Sequence, residues 1–179
     1  MSEPRRFAGL SASAGLASGP AFIPDDVPQS SPSLNSLSDM EEELAKSINS
    51  SIAALKMLAS LSDHEGAAIL EYQIEMLLDP LLAQMAISRA DDDIGLALAW
   101  AGALDDYIAD IEQSDEEHVR ARAVDVVDIK NRVLRELTGT VAEDFPVGSV
   151  YVGKDIEPSR FLSHDWSKGG AIVLFNGSL

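Results

Sequence analysis

Few side chains in this sequence can do covalent or acid–base chemistry. There are three histidines, His64, His118 and His164, and no cysteine. The lack of cysteine removes disulfides, thiolate metal sites and thiol nucleophiles. His64 and His118 both stand beside carboxylates near expected helix ends, where an exposed histidine is the plain expectation. Ser163-His164-Asp165 is the one triplet that invites a catalytic reading. A histidine that accepts a phosphoryl group needs a glycine-supported approach for the donor and groups that orient its ring. Here Gly169 and Gly170 come after the histidine and Trp166 lies close behind it, so a surface-turn histidine is expected. The runs Glu41-Glu42-Glu43 and Asp91-Asp92-Asp93 fall at expected helix starts. Negative charge is favoured there by the helix dipole, and no His/Asp/Glu spacing makes a metal cluster. Arg122 lies among Val119, Ala123 and Val126, with Asp125 in helical reach. Read by itself it is half of an exposed ion pair of little weight.

Charge narrows the choice of partner. The 179 residues carry 13 Lys and Arg against 30 Asp and Glu, a net charge of −17. That disfavours nucleic acid and anionic membrane surfaces, which need clustered cations, and suits a partner with a basic face. At 46% hydrophobic and 24% charged residues, a packed core is expected, in one domain or two small subdomains. The longest apolar run, Ile94 to Leu104, is too short to span a bilayer. Serines and glycines dilute the stretch after Arg5-Arg6, so no cleaved leader is expected. The expected location is the cytoplasm.

The elements that must position these residues fall into zones. Residues 1–24 end in a short strand-like run, Ala21-Phe22-Ile23. Residues 25–36 form a linker rich in proline and serine. Residues 37–140 are helical. Ser38-Asp39-Met40-Glu41 predicts a capping box, followed by the stripe Met40, Leu44, Ile48, Ile52, Leu55 and Leu58. Ala67–Leu78 predicts a second helix with the stripe Leu70, Ile74 and Leu77. Asp79-Pro80 predicts a break and a new short helix to about Ser88. Asp91-Asp92-Asp93 should open the next helix, with the stripe Leu96, Trp100, Leu104, Tyr107 and Ile111. Ser114 to Glu117 predicts a second capping box, and a last helix from there ends at Gly139. Residues 141–179 return to strands near 147–153 and 171–175. An antiparallel bundle is implied, placed between the parts of a small α/β unit.

Four segments, in this order, resemble the N-terminal region of Enzyme I, the phosphoenolpyruvate-protein phosphotransferase of bacterial sugar uptake. Gly9 to Gly19 is similar to the family's G-x-x-A-S-P-G-x-A-x-G strand, with Ala14 in place of the proline. Ala68 to Asp79 resembles A-I-F-E-x-H-x-x-L-L-x-D. Arg122 to Ile129 resembles R-A-A-D-V-x-D-I, the most specific of the four, and Asp155 to Ser159 resembles D-L-T-P-S.

The resemblance implies an α+β, mainly α fold: a four-helix bundle that binds the carrier protein HPr, inserted into an α/β phosphohistidine subdomain. By alignment, Asn176 to Leu179 lies just before the family's T-S-H, so the phosphate-carrying histidine is expected after Leu179 and no catalytic residue within these 179. The phosphoenolpyruvate-binding C-terminal domain, with its magnesium, would be a further partner in the same protein; no cofactor is expected in this stretch. The implied HPr-facing residues are Gln73, which replaces a family histidine, with Met76, Leu82, Ile111, Val119 and Arg122. The other readings are a non-enzymatic helical adaptor and a phosphotransferase-like domain of a multidomain phosphocarrier, such as one serving dihydroxyacetone kinase.

Overall fold

The computed structural model describes residues 8–29, 36–91, 94–143 and 145–175. The expectations for Asp92, Asp93 and Asn176 to Leu179, and part of the linker, lie outside the described residues.

Helix α1 spans Leu37–Leu61. Its N-cap is Ser36, whose hydroxyl accepts from the Asp39 amide at 3.1 Å. The cap is therefore two residues earlier than the expected Ser38. Serine is a favoured N-cap residue at either position, and Met40 and Leu44 in the first turns are seated in the core. Helix α2 spans His64–Leu78 and also begins early, because the Asp63 carboxylate caps it by accepting from Gly66 N at 2.9 Å. Asp79 then serves two helices. It ends α2 and its carboxylate caps α3, Pro80–Ile87, by accepting from Leu81 N at 2.9 Å, with Pro80 in the first turn.

Helix α4 spans Leu96–Glu112, starting later than expected. Asp91 instead closes a turn, its carboxylate accepting from Ile94 N at 2.7 Å. The expected last helix is two pieces, α5 at Glu117–Arg120 and α6 at Ala123–Thr138. Ser114 makes a turn bond to Glu116 N rather than a capping box. Tight bonds, Arg122 N to Val119 O and Asp125 N to Arg122 O, step the chain round between the two. Arg122 thus sits at the head of α6, not within a continuous helix.

Helices α1, α2, α4 and α6 pack as a bundle with α3 against α4. Leu44, Leu55, Leu70, Trp100, Leu104, Ile129 and Val133 are almost fully removed from water. Trp100 also donates its indole N–H to the Lys130 carbonyl at 3.0 Å, so its polar edge is satisfied inside the core. No helix among the described residues is long and apolar enough to cross a membrane.

Three parallel strands, β1 Ala21–Phe22, β2 Val150–Gly153 and β3 Ala171–Leu174, form a sheet in that order. Ala21 pairs with Val150, and Val150 with Ala171. Parallel neighbours need a crossover. The crossover from β1 to β2 is the whole helical block; that from β2 to β3 is α7, Pro158–Ser163, and a 3-10 turn at Trp166–Lys168. A bundle inserted into an α/β unit is the result. Gly19 permits the entry into β1, since a Cβ there would lie 2.0 Å from the Gly148 carbonyl oxygen.

Gly139 ends α6 with φ +66°, and nothing lies within 4 Å of where a Cβ would stand. Gly139→Ala therefore meets no clash and is penalised only by left-handed backbone geometry, by about 1–2 kcal/mol. The expected reading is a lower urea midpoint with an unchanged slope.

Candidate functional site

Helix α6 carries two stripes. Val126, Ile129, Val133 and Leu137 face the core. Arg122, Asp125, Asp128, Arg132 and Arg135, spaced three or four apart, form a polar stripe beside it. Asp125 and Asp128 are buried, with Asp128 fully so. Gln73 of α2, itself fully buried, donates from its one amide nitrogen to Asp125 Oδ1 and Asp128 Oδ2, both at 3.2 Å. Ser159 of α7 donates its backbone N–H to Asp128 Oδ2 and its hydroxyl to Asp128 Oδ1, both at 2.7 Å. The first amides of a helix lack partners within it, so Asp128 caps α7 from a different helix.

Burial pushes the Asp128 carboxyl above its usual range, helped by the nearby Glu157 charge and opposed by Arg132 and the Ser159 bonds. Asp125 is also pushed up by burial, with Gln73 and Arg122 acting against it. Three stretches carrying the family resemblance, those of Gln73, Asp125-Asp128 and Ser159, thus meet in one buried joint between bundle and α/β unit. Gln73 is a joint residue and not part of a surface.

The outward side of α2 beside this joint is different. Ile69 and Tyr72 are exposed, and Met76, one turn beyond Tyr72, is half-buried. The Arg122 guanidinium stands 4.6 Å from the centre of the Tyr72 ring. The same guanidinium bonds Asp125 Oδ2 at 3.3 Å while half its side chain stays exposed. Val119 on α5 and Ile111 near the end of α4 are half-buried. Leu82 departs from expectation: it is 5% exposed and belongs to the core. The Asp79–Pro80 break resets the helical phase, so Leu81 turns outward at 55% exposure and Leu82 inward. Sequence reasoning does not single out Tyr72, although its position four residues before Met76 on a helix carries the signal.

The Ser163-His164-Asp165 triplet does not form a relay. Ser163 donates to the Arg160 carbonyl at 3.0 Å. Asp165 accepts from the amide and hydroxyl of Ser167 and pairs with Lys168, which together hold its carboxyl below the usual range. His164 is not a free surface histidine. It is half-buried, stacked on Phe145 with centroids 4.1 Å apart and edge-on to Trp166 at 4.4 Å. His64 and His118 are exposed, and His118 lies 3.2 Å from Glu116.

Comparison with known proteins agrees with this architecture. Residues 8–122 match the family described as PEP-utilising enzyme, N-terminal. A phosphoenolpyruvate-protein phosphotransferase of Staphylococcus epidermidis is 29% identical over 166 residues, covering 84% of this chain and 28% of the relative. The phosphoryl donor subunit DhaM of a PEP-dependent dihydroxyacetone kinase from Klebsiella michiganensis is 29% identical over 142 residues, 75% of this chain and 30% of the relative. The chain therefore spans under a third of the length of these curated relatives. An NMR solution structure of Enzyme I shares the fold with a TM-score of 0.63 at 23% identity, over 86% of this chain and 68% of the other. The N-terminal domain of Enzyme 1 - Nitrogen does so with a TM-score of 0.60 at 14% identity, over 89% and 70%.

Proposed function

Because the chain belongs to the PEP-utilising enzyme N-terminal family, we propose that its bundle is the platform on which a phosphoenolpyruvate-protein phosphotransferase docks HPr. In that reading a phosphohistidine of the same protein passes its phosphoryl group to the docked carrier. Phosphoryl transfer rests mainly on positioning and charge stabilisation, and these residues supply the positioning. The observation that carries the reading is the guanidinium of Arg122. It is tethered to Asp125 and stacked on the exposed Tyr72 ring, so a cation is pre-placed on the outward side of α2. A fixed cation within apolar contact area gives orientation with little ordering cost. In this reading Met76, Val119 and Ile111 add apolar contact area, and Tyr72 takes the place expected for Leu82. The overall charge of −17 favours encounter with a basic partner.

Within this reading the protein is cytoplasmic, and its phosphoenolpyruvate-binding domain is a partner in the same protein. Among the described residues no three His, Asp or Glu side chains converge where a cation could sit; magnesium would act in the phosphoenolpyruvate-binding domain, and no step here runs through it. The likeness to a phosphoryl donor subunit favours, as second reading, the same docking role inside a multidomain phosphocarrier. Titration of the isotope-labelled chain with unlabelled HPr tests the docking. Saturable amide shifts should centre on Tyr72, Met76, Val119 and Arg122. Shifts confined to the sheet, or none at millimolar HPr, would leave the adaptor reading in its place.

A further inference from the structure

A cleft of about 660 Å³ opens on the far stretch of α6, between the bundle and the α/β unit. It is some ten residues along the helix from Arg122, or roughly 15 Å at 1.5 Å per residue, which sets it apart from the docking face. In a chain with a large excess of acid, three arginines line this cleft: Arg132, Arg135 and Arg160.

Two of the three are already engaged. The Glu157 carboxylate takes Arg135 at 3.3 and 3.4 Å, Arg160 at 3.4 Å and Asn131 at 2.7 Å. Arg132 is not. Its side chain forms no hydrogen bond or ion pair among the described residues, and its Nε is buried without an acceptor. The carboxylate it opposes electrostatically, Asp128, has both oxygens taken by Ser159 and Gln73. On the other wall His164 lines the cleft with its ring stacked on Phe145. Buried polar atoms are rarely left unpaired, and an arginine presents donors in a planar fork suited to carboxylate or phosphate oxygens.

Beside Arg132 the lining is apolar, with Leu58 from α1 and Phe145 from the loop before β2. The exposed Glu136 and Glu143 also line the cleft, which disfavours ligands carrying more than one anionic group. The volume is that of a small organic molecule rather than a lone ion.

We propose that this cleft binds a small organic oxyanion, a carboxylate or phosphate head on a compact apolar body, with the head on the guanidinium of Arg132 and the body against Leu58 and Phe145. Arg132 and Leu58 belong to the bundle and Phe145 leads into β2, so the bound molecule would bridge the two parts and tighten the joint that Asp128 makes.

Two probes separate the head groups: benzoate for a carboxylate and phenyl phosphate for a phosphate, each titrated at constant ionic strength into the isotope-labelled chain. At least one should give saturable shifts in the second half of α6 and in residues 157–164, and should raise the melting temperature. Arg132→Lys keeps a positive charge opposite Asp128 but removes the buried Nε and the fork. It should stay folded, bind at least tenfold more weakly and lose the thermal shift. Lys168→Gln, an exposed charge away from the cleft, should bind like the unaltered chain. The proposal is overturned if neither probe saturates, if Arg132→Lys binds as tightly as the unaltered chain, or if Lys168→Gln weakens binding as much as Arg132→Lys.

Discussion

Replacing Asp128 with alanine is expected to cost about 3–5 kcal/mol of stability, the scale for removing one partner from a buried charged network. The substitution strips the acceptors from Ser159 N and Ser159 Oγ and one of the two from Gln73 Nε2, and it takes away the carboxyl group that Arg132 attracts. The loss should be local at first, with α7 coming away from the bundle. Amide exchange at residues 158–163 should accelerate more than exchange in α4.

Asp128→Asn is the informative contrast. An asparagine oxygen in the Oδ2 position can still accept from Ser159 N and Gln73, and its amide can donate to the Ser159 hydroxyl. It should be far milder than alanine. It should also change the pH dependence. The folded-state pKa of Asp128 is raised by burial above its unfolded value. The neutral carboxyl is then the better fit to the folded state, so this contribution to stability is full below the unfolded pKa and declines as pH rises through the folded one. The unaltered chain should lose more stability than Asp128→Asn as pH rises from about 4. Parallel urea midpoints for both chains across that range would mean that the carboxylate titrates as it does in water.

The second large effect is on binding. Arg122→Gln should weaken HPr by about 2 kcal/mol, roughly 30-fold, as expected for a central arginine anchor. Glutamine is the cleaner choice than glutamate. A glutamate at 122 would face Asp125, which is 4% exposed and whose ionised form burial already disfavours, so it would damage the joint as well as the surface. Arg122 itself is half exposed and Asp125 keeps its bond from Gln73, so the neutral replacement should cost clearly less stability than Asp128→Ala. Tyr72→Leu keeps apolar area but removes the ring under the guanidinium. It should reproduce a smaller part of the loss, about 0.5–1 kcal/mol. Calorimetric titration of both variants decides the matter; equal affinity for Arg122→Gln and the unaltered chain would move the interface elsewhere.

The parts of this fold that are legible in the sequence are those set by local rules. The stripes of α1 and α2 follow from helical spacing, the α2–α3 break from Asp79-Pro80, and the end of α6 from Gly139. What cannot be read depends on residues far apart in the chain. Gln73 bonds carboxylates 52 and 55 positions away, and Ser159 meets Asp128 across 31 positions. Only Asp125 and Asp128, three apart and flanked by Val126, Val127 and Ile129, hint that charge is being buried. Leu82 reads as surface only when a single helical phase is carried across Pro80. His164 reads as exposed because Phe145, the ring it stacks on, lies nineteen positions earlier in the sequence.

The insertion of the helices between adjacent strands also fixes an order of events. Residues 21 and 150 must meet to pair β1 with β2, and that contact is only two residues wide on the β1 side. In an unfolded chain, closing so long a loop would cost more entropy than so short a ladder returns. The α1–α2 and α3–α4 pairs, by contrast, join helices that are neighbours in sequence, and such local contacts form early. Once the bundle has formed, the ends of α1 and α6 are fixed and the effective loop shrinks to the short leads on either side. The sheet is therefore a late event in folding that reports on the bundle, and β1 should be the first element to let go when the bundle is weakened.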